Sequence, residues 1–261
     1  MGDEPWYVEL FRHGDYYRGW ASALITPELT AQQVEFIVDA LELPAGARPD
    51  GRPSGRILDL CCGHGRHAVP LAERGFEVTG LDLSDYHLRL ARKTAREAGV
   101  KVRWLRRDMR DIPFDGELDA VINMFSAFGY FEDDEEDFKV LAAVSRALKP
   151  GGRFLIDTMN REWLVRRYQD TDWREHDDGL ITMERRHLDL LTSQNESLWM
   201  LITPDGQRRT HRISFRLYTL TELAGMLSRA GLAVRRTWGG FDGREYGLNS
   251  RRMIVLAEKR A

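Results

Sequence analysis

Three acidic residues in this chain stand where buried strands are expected to end, and their spacing is typical of residues that bind one ligand. Asp59, Asp82 and Asp108 each close or follow a short apolar segment, and Gly63 and Gly65 occupy the turn after the first of these segments. Glycines in such a turn let backbone N–H groups approach a ligand closely. Because the carboxyl ends of successive parallel strands meet at one edge of a sheet, we expect the three carboxylates to face a common ligand.

The glycine turn by itself is compatible with more than one ligand. Residues 63–68, GHGRHA, match the G-x-G-x-x-A pattern of dinucleotide-binding proteins. Asp59 counts against that interpretation, because a carboxylate before the turn would repel a pyrophosphate. It suits an ammonium group, and S-adenosylmethionine carries one, together with ribose hydroxyls for Asp82 and an adenine amine for Asp108. We therefore predict that the ligand is S-adenosylmethionine, with S-adenosylhomocysteine as its product. One alternative is a dinucleotide-binding enzyme. The other is a structural role, in which Asp59 caps a helix and Asp82 and Asp108 are ordinary loop acids.

Apolar strands alternate with helical patterns on both sides of these acids, and this alternation predicts an α/β fold with a doubly wound parallel sheet. The predicted strands are Ile57–Leu60, Glu77–Leu81, Val102–Leu105, Ala120–Met124, Arg153–Asp157, Ala233–Thr237 and Met253–Glu258. The predicted helices are Arg66–Arg74, Asp85–Ala98, Glu135–Leu148 and a last one that begins at a Thr219–Glu222 capping box and ends at Ala230. The acidic run 132–136 is predicted as a helical first turn, where it complements the helix dipole.

Two further segments lie outside this alternation. Residues 1–43 are predicted to be helical and carry an aromatic cluster, and Pro44–Gly55 is predicted to be a linker. Residues 179–219 predict three antiparallel strands, Leu180–Leu191, Ser197–Ile202 and Arg208–Tyr218. The expected domains are an N-terminal helical cap (1–50), a cofactor-binding domain (51–160 and 219–261) and an inserted antiparallel β subdomain (161–218). From their positions, we expect the cap and the insertion to form two walls of the substrate site.

The motifs resemble those of class I S-adenosylmethionine-dependent methyltransferases. DLCCGHG resembles that family's Asp-x-Gly-x-Gly-x-Gly motif, GLDLS its ribose-binding strand end, RDM its adenine-binding one and LKPGGRFLID its fifth-strand motif. The resemblance covers roughly residues 55–157 and 218–259, and it implies a Rossmann-like, seven-stranded sheet whose last strand is antiparallel. The cofactor-binding residues so expected are Asp59, Cys61, Gly63, Gly65, Asp82, Leu83, Asp108, Met109, Asn123 and Phe125.

Cys61 departs from the resembled motif, since the first motif glycine usually occupies this position. A cysteine would be costly there if the backbone needed a positive φ angle. We expect the substitution to be tolerated, with Cys61 near the cofactor as a small packing residue and not as a nucleophile.

The resemblance implies methyl transfer by in-line displacement, for which positioning and desolvation supply much of the rate and a general base is optional. No residue is identified as catalytic, and the candidates are Tyr16, Tyr17, Tyr130 and His211. Each has a structural alternative, as a residue of the cap, the core or a strand surface. We predict no metal: Asp157 and Asn160 resemble the metal ligands of catechol-type O-methyltransferases, but Asn123 stands where a further acid would be expected.

Composition and the loop after the fourth strand favour a small-molecule substrate. The net charge of -3 gives no field for nucleic acid, and the arginines of residues 103–110 are flanked by acids. Loop residues 123–131 lack the Asn/Asp-Pro-Pro-Tyr/Phe signature of amide and base N-methyltransferases, while their aromatics suit a planar pocket or core packing. A tRNA or protein methyltransferase and a non-catalytic cofactor sensor or scaffold remain as alternatives, and the acceptor atom (N, O or C) stays open.

The remaining features concern location and assembly. Cys61 and Cys62 are adjacent and cannot join distant elements through a disulfide framework. Without a signal-peptide pattern or an apolar run of bilayer length, we expect a cytoplasmic protein without membrane contact. The inserted sheet offers edges through which a homodimer could form.

Overall fold

The computed structural model describes residues 4–21, 25–43 and 53–260. The predicted linker therefore lies outside the described residues except at 53–55, and so do residues 1–3 and 22–24 of the predicted cap. The helices are α1 (Trp6–Leu10), α2 (Pro27–Leu41), α3 (Ala68–Glu73), α4 (Asp85–Glu97), α5 (Asp134–Ala147), α6 (Arg161–Arg166) and α7 (Leu220–Arg229), with a π-helical turn at Tyr17–Ala21. The strands are β1 (Arg56–Leu60), β2 (Glu77–Asp82), β3 (Arg103–Arg106), β4 (Leu118–Asn123), β5 (Leu148–Met159), β6 (Thr171–Glu175), β7 (Ile181–Leu188), β8 (Gln194–Ile202), β9 (Arg208–Arg216), β10 (Leu232–Trp238) and β11 (Arg252–Lys259).

The main sheet has seven strands in the order β10-β11-β5-β4-β1-β2-β3. Strand β11 runs antiparallel to both of its neighbours, and the remaining pairs are parallel. The predicted seven-stranded, Rossmann-like sheet with an antiparallel last strand is confirmed. Because β1 lies between β2 and β4, the chain reverses direction across the sheet at β1, and the carboxyl ends on either side of it border a crevice where such folds bind ligands.

Both faces of the main sheet are covered, which explains why its central strands are apolar throughout. In β1, Ile57 packs into a core with α2 and α3, whereas its neighbour Leu58 packs into the opposite core with α5 and α7. Both side chains are buried. Successive side chains of a strand thus point into two different cores, one on each face of the sheet, and neither face is left to solvent. This is expected for parallel sheets between helical layers.

The N-termini of α7 and α5 lie where the capping box and the acidic run of the sequence predict them. Thr219 and Glu222 form a complete capping box at the start of α7. The acidic run begins α5, whose first turn contains Asp134, Glu135, Glu136 and Asp137. Both predictions are confirmed, and the negative charges in the first turn of α5 complement the helix dipole.

The inserted sheet has four strands, in the order β6-β7-β8-β9, where the sequence predicted three. The prediction missed β6 because all five of its residues are exposed, so no apolar alternation marks it. It is held by antiparallel backbone pairing with β7. The short helix α6 before it was also missed, since none of its residues is buried.

Several predicted boundaries also move. Helix α3 begins at Ala68 and not at Arg66, because residues 61–67 form the glycine turn. Strand β5 begins at Leu148, so residues 149–152, which lie between the predicted helix and the predicted strand, belong to the strand. The N-terminal segment packs on the inserted sheet, where Leu10, Trp199 and Leu201 share a small core. No helix in the described ranges is long and apolar enough to cross a bilayer.

Candidate active site

The turn after β1 is held by hydrogen bonds from its backbone amides to β2 at the carboxyl edge of the main sheet. The Cys62 amide donates to the Leu81 carbonyl at 3.0 Å, and the Gly63 amide donates to Asp82 Oδ2 at 2.8 Å. Three residues of the turn have positive φ angles, namely Cys61 (61°), Gly63 (54°) and Gly65 (82°). Cys61 therefore does occupy a left-handed conformation that favours glycine, and its backbone strain is stored directly at the site.

Asp59 is a buried carboxylate with an unsatisfied oxygen. It is 1% exposed, and its Oδ2 has no hydrogen-bond partner. Burial raises the pKa of Asp59 to about 7, an effect opposed by Arg66 and reinforced by Asp82, while the Ala68 amide donates to the carboxylate. An unpaired oxygen of this kind is costly in the interior unless a ligand donates to it.

Arg66, which lines the same cavity, carries an unsatisfied hydrogen-bond donor. Its Nη2 atom is buried without a partner, while its guanidinium lies 5.0 Å from the centre of the Phe125 ring. Burial lowers the pKa of Arg66 to about 10, against the opposing effect of Asp59 and Asp157, so the group stays charged at neutral pH. An unpaired acceptor and an unpaired cationic donor in one cavity match the ammonium and carboxylate groups of an amino acid.

Asp82 lies where the second strand meets the turn. Its Oδ2 accepts from the Gly63 amide and its Oδ1 accepts from the Ser84 amide, each at 2.8 Å. Burial raises the pKa of Asp82, although its backbone hydrogen bonds oppose the shift. Because a carboxylate has about four acceptor positions, lone pairs remain for two hydroxyl groups of a ligand.

Asp108 is engaged by its own neighbour Arg110. The Arg110 Nε and Nη2 atoms donate to the two carboxylate oxygens at 2.9 and 2.7 Å. Burial alone would raise the pKa of Asp108, but the hydrogen bonds from Arg110 outweigh it and hold the pKa below its usual value. The Arg110 guanidinium also lies 4.2 Å from the centre of the Phe131 ring, so this end of the site combines a fixed carboxylate with an aromatic surface.

These groups line a cavity of about 520 Å³, named here the donor cavity. The predicted residues that line it are Asp59, Cys61, Gly63, Asp82, Leu83, Asp108, Met109 and Phe125. Gly65 and Asn123 do not line it. A side chain at Gly65 would lie 2.8 Å from Trp104, so this glycine serves packing between turn and sheet, and Asn123 donates to the Leu60 carbonyl at 3.1 Å.

Sequence reasoning missed part of the cavity lining. His64 and His87 both line it, and burial lowers the pKa of each to about 4, so both are neutral at pH 7. His64 lies within the predicted glycine turn, and this position in the motif could have identified it as a residue that lines the cavity. From the N-terminal segment, Tyr7 and Phe11 line the cavity as well, and Ser84 Oγ donates to the Phe11 carbonyl at 2.6 Å. The N-terminal segment is thus a cover over the donor cavity.

A second cavity of about 420 Å³, named here the acceptor cavity, adjoins the first. Phe11, Tyr16, Phe125 and Tyr130 line both, so these four aromatics form the junction. The Phe11 ring lies 4.9 Å from Tyr16 and 6.1 Å from Tyr130, centre to centre. The outer wall of the acceptor cavity comes from α6 and the inserted sheet, on which Thr182, Asn195 and Trp199 are buried.

The four candidate catalytic residues occupy different positions relative to the two cavities. Tyr16 and Tyr130 lie at the junction, and burial raises the pKa of each, so neither hydroxyl ionises near neutral pH. Tyr17 lines only the donor cavity of the two and is 40% exposed. His211 lines neither cavity; its Nε2 lies 3.3 Å from Asp15 Oδ2, and the pair joins the inserted sheet to the N-terminal cover.

The loop after β4 adopts a strained conformation at the junction. Phe125 and Ser126 have φ angles of 66° and 61°, a left-handed conformation that non-glycine residues rarely adopt. Asp157 holds both residues, since its Oδ2 accepts from the Phe125 amide and its carbonyl accepts from the Ser126 amide, each at 2.9 Å. The resemblance of Asp157 to a metal ligand is therefore explained by loop support. Within the described ranges, no cluster of three or more His, Cys, Asp or Glu side chains could hold a metal ion.

The sheet order, the acids at its carboxyl edge and the covered cavity are those of the class I S-adenosylmethionine-dependent methyltransferase fold. The chain is a methyltransferase that uses S-adenosylmethionine as its cofactor. Residues 57–152 match the family model described as a methyltransferase domain. The chain is 29% identical over 211 residues to the putative methyltransferase YqeM of Bacillus subtilis, covering 78% of this chain and 84% of that protein.

Two solved structures share the fold across nearly the whole chain. The CcbJ methyltransferase of Streptomyces caelestis superposes with a TM-score of 0.81 at 21% identity, covering 100% of both chains. CalS10 of Micromonospora echinaspora, an amino pentose methyltransferase solved with S-adenosylmethionine bound, has a TM-score of 0.65 at 24% identity, covering 94% of this chain and 96% of that one. These likenesses extend through the N-terminal cover and the inserted sheet.

Proposed function

We propose that the enzyme methylates an amino group of a small molecule bound in the acceptor cavity. The observation that carries this proposal is the aromatic junction, whose side chains line both the donor cavity and an adjoining cavity of about 420 Å³. Small-molecule sites usually measure about 300–1,000 Å³. The proposed division of the chain follows from the same arrangement: residues 4–21 cover the site, residues 161–218 wall the acceptor cavity, and the remaining described residues hold the cofactor, with α2 packed on the main sheet.

The residues of the donor cavity match the parts of S-adenosylmethionine. Asp59 and Arg66 would hold the ammonium and carboxylate of its amino-acid end through their unsatisfied buried atoms. Asp82 would accept the ribose hydroxyls, and Asp108 and the Met109 amide would hold the adenine. When bound, the cofactor supplies a methyl group on a positively charged sulfur, a good leaving group for direct displacement.

The junction favours nitrogen as the acceptor atom. Its two hydroxyl groups, on Tyr16 and Tyr130, have raised pKa values because they are buried, so neither is suited to remove a proton from an alcohol at neutral pH. A neutral amine already exposes its lone pair and needs only positioning and desolvation. Methylation of an amine also creates a cation, which the faces of Phe11 and Phe125 can stabilise. CalS10, which shares this fold, is an amino pentose methyltransferase, and an amine acceptor is consistent with that activity.

The test is transfer of radiolabelled methyl groups to a panel of small amines, matched alcohols, bulk tRNA and denatured protein. We expect label in one or more amines and not in the corresponding alcohols. Label only in alcohols would contradict the nitrogen acceptor, and label only in tRNA or protein would contradict the small-molecule substrate.

A calorimetric control identifies the donor site independently of the acceptor. S-adenosylhomocysteine should bind the wild type and the Asp115→Ala variant equally, because Asp115 is exposed and does not line the donor cavity. The Asp82→Ala variant should bind it about a hundredfold more weakly, since two charge-assisted hydrogen bonds are lost. Equal binding by the Asp82→Ala variant would contradict the proposed ribose contact.

A further inference from the structure

The geometry points to an anion-binding subsite on the outer wall of the acceptor cavity, formed by Arg167, Arg174 and Arg251. It follows that the acceptor carries a carboxylate or phosphate group in addition to the nitrogen that is methylated. This inference rests on the proposed function, because it takes the acceptor cavity as the place where the small molecule binds.

Three separate elements bring these arginines to one cavity. Arg167 follows α6, Arg174 lies in β6 and Arg251 immediately precedes β11, and all three line the acceptor cavity. None of the three has a carboxylate partner among the residues that the structure describes. Positive charges gathered at one cleft without counter-ions attract an anionic ligand and raise its local concentration.

The remaining charges of the cavity do not neutralise this group. Arg186 also lines the acceptor cavity, but it is paired with Glu184 and, at 3.5 Å, with Asp172. These are the two carboxylates in the lining, and both are therefore already engaged. Four arginines face two carboxylates in this cavity, which leaves it with a net positive charge.

An aromatic side chain holds two of the three guanidinium groups without cancelling their charge. The Arg167 and Arg251 guanidinium carbons lie 5.4 and 5.7 Å from the centre of the Trp163 ring. Such contacts restrict an arginine side chain while leaving its N–H donors free for a ligand. Because guanidinium donors match carboxylate and phosphate oxygens in pairs, the ligand group is an anion of this geometry.

The probes that test the subsite are inorganic pyrophosphate and malonate, titrated calorimetrically into protein saturated with S-adenosylhomocysteine at constant ionic strength. Saturable binding of at least one probe to the wild type is expected. The probe with the lower Kd indicates whether the subsite prefers a phosphate or a carboxylate group. In the Arg174→Gln/Arg251→Gln double variant, Kd should rise about tenfold or more, since charge-assisted hydrogen bonds are lost.

The matched control is Arg185→Gln. Arg185 is exposed on β7 of the same sheet but does not line the acceptor cavity, so its replacement should leave probe binding unchanged. Unaltered S-adenosylhomocysteine binding by the double variant shows that it is folded. Equal Kd values for wild type and double variant, equal weakening in the control, or no saturable binding of either probe would overturn the inference.

The two proposals fail separately. Probe binding is measured without turnover, so its absence overturns the anion subsite while methyl transfer to a small amine is unaffected. Conversely, probe binding in a protein that methylates only tRNA or protein would overturn the proposed function.

Discussion

Arg252 donates from Nε to Asp157 Oδ1 at 2.7 Å, and this pair supports the strained loop at the junction of the two cavities. Asp157 is 1% exposed, and Arg252 also donates from Nη2 to Ser126 Oγ at 3.0 Å. The pair therefore ties β5 and β11 to the loop that follows β4. Since Phe125 lines both cavities, the ion pair fixes the wall between donor and acceptor.

Replacing Arg252 with Met should destabilise the protein by about 3 kcal/mol, because a buried carboxylate would lose its charged partner. Urea unfolding measures this loss. Arg235→Met is the matched control on the neighbouring strand, since its partner Glu258 is at 2.8 Å but the Arg235 side chain is 55% exposed. Its loss should cost no more than about 1 kcal/mol. Equal effects of the two substitutions would contradict a supporting role for Arg252.

Binding of S-adenosylmethionine should strengthen as the pH rises toward 7. The pKa of Asp59 is raised to about 7 chiefly by burial, so below that pH the carboxyl group is largely neutral and must lose its proton before it can pair with an ammonium group. Linkage then predicts that Kd rises by up to about tenfold per pH unit below the pKa. Calorimetry between pH 5.5 and 7.5 checks this dependence.

The control for this pH dependence is Asp59→Asn, which cannot ionise. It should bind the cofactor weakly and show a flatter pH profile over the same range. A profile as steep as that of the wild type would assign the titration to another group.

Cys61 and Cys62 should respond in opposite ways to replacement by glycine. Cys61 has a φ of 61°, so glycine relieves a left-handed strain of roughly 1–2 kcal/mol and should leave the melting temperature unchanged or higher. Cys62 is buried and does not have a positive φ, so Cys62→Gly should cost about 1 kcal/mol or more. Thermal unfolding of the two variants compares them directly, and a lower melting temperature for Cys61→Gly would contradict the strain argument.

The N-terminal cover should open more readily when its ion pairs to the inserted sheet are removed. Asp15 pairs with Arg209 at 2.7 Å, and Arg18 pairs with Asp178 at 2.7 Å. In the Asp15→Asn/Asp178→Asn double variant, S-adenosylhomocysteine should dissociate several-fold faster in stopped-flow measurements. Asp205→Asn, in the exposed turn between β8 and β9, should leave the rate unchanged, and an unchanged rate in the double variant would show that the ligand does not leave under this cover.

The sequence was sufficient to predict the glycine turn and the acids at the carboxyl edge of the sheet, because their signals are local. A buried strand, a glycine turn and a terminal acid lie within a few residues of one another, and the alternation of strands and helices predicts a doubly wound parallel sheet. The same motif did not distinguish Gly63, which lines the cavity, from Gly65, which packs against Trp104. That difference depends on which neighbour each backbone faces, and spacing carries no information about it.

The acceptor cavity could not be predicted in the same detail, because its walls come from segments distant in sequence. Arg167 and Arg251 lie over one Trp163 ring only because α6 and the start of β11 are neighbours in the fold. Strand β6 carries Arg174, yet its exposed residues show no periodic pattern. A segment that buries few apolar residues has no regular spacing of apolar residues in its sequence, so its secondary structure is hard to predict. Dimerisation through this sheet and a cytoplasmic location stay predictions.

The aromatic junction should couple the binding of the two ligands. Phe11 and Tyr16 belong to the N-terminal cover and line both cavities, so a ligand that orders the cover over one cavity also completes the wall of the other. Each ligand should then tighten the binding of the other by the same factor, as reciprocity between linked equilibria requires. The enzyme should therefore bind an acceptor tightly only when the methyl donor is also bound. It should release both products once the N-terminal cover opens.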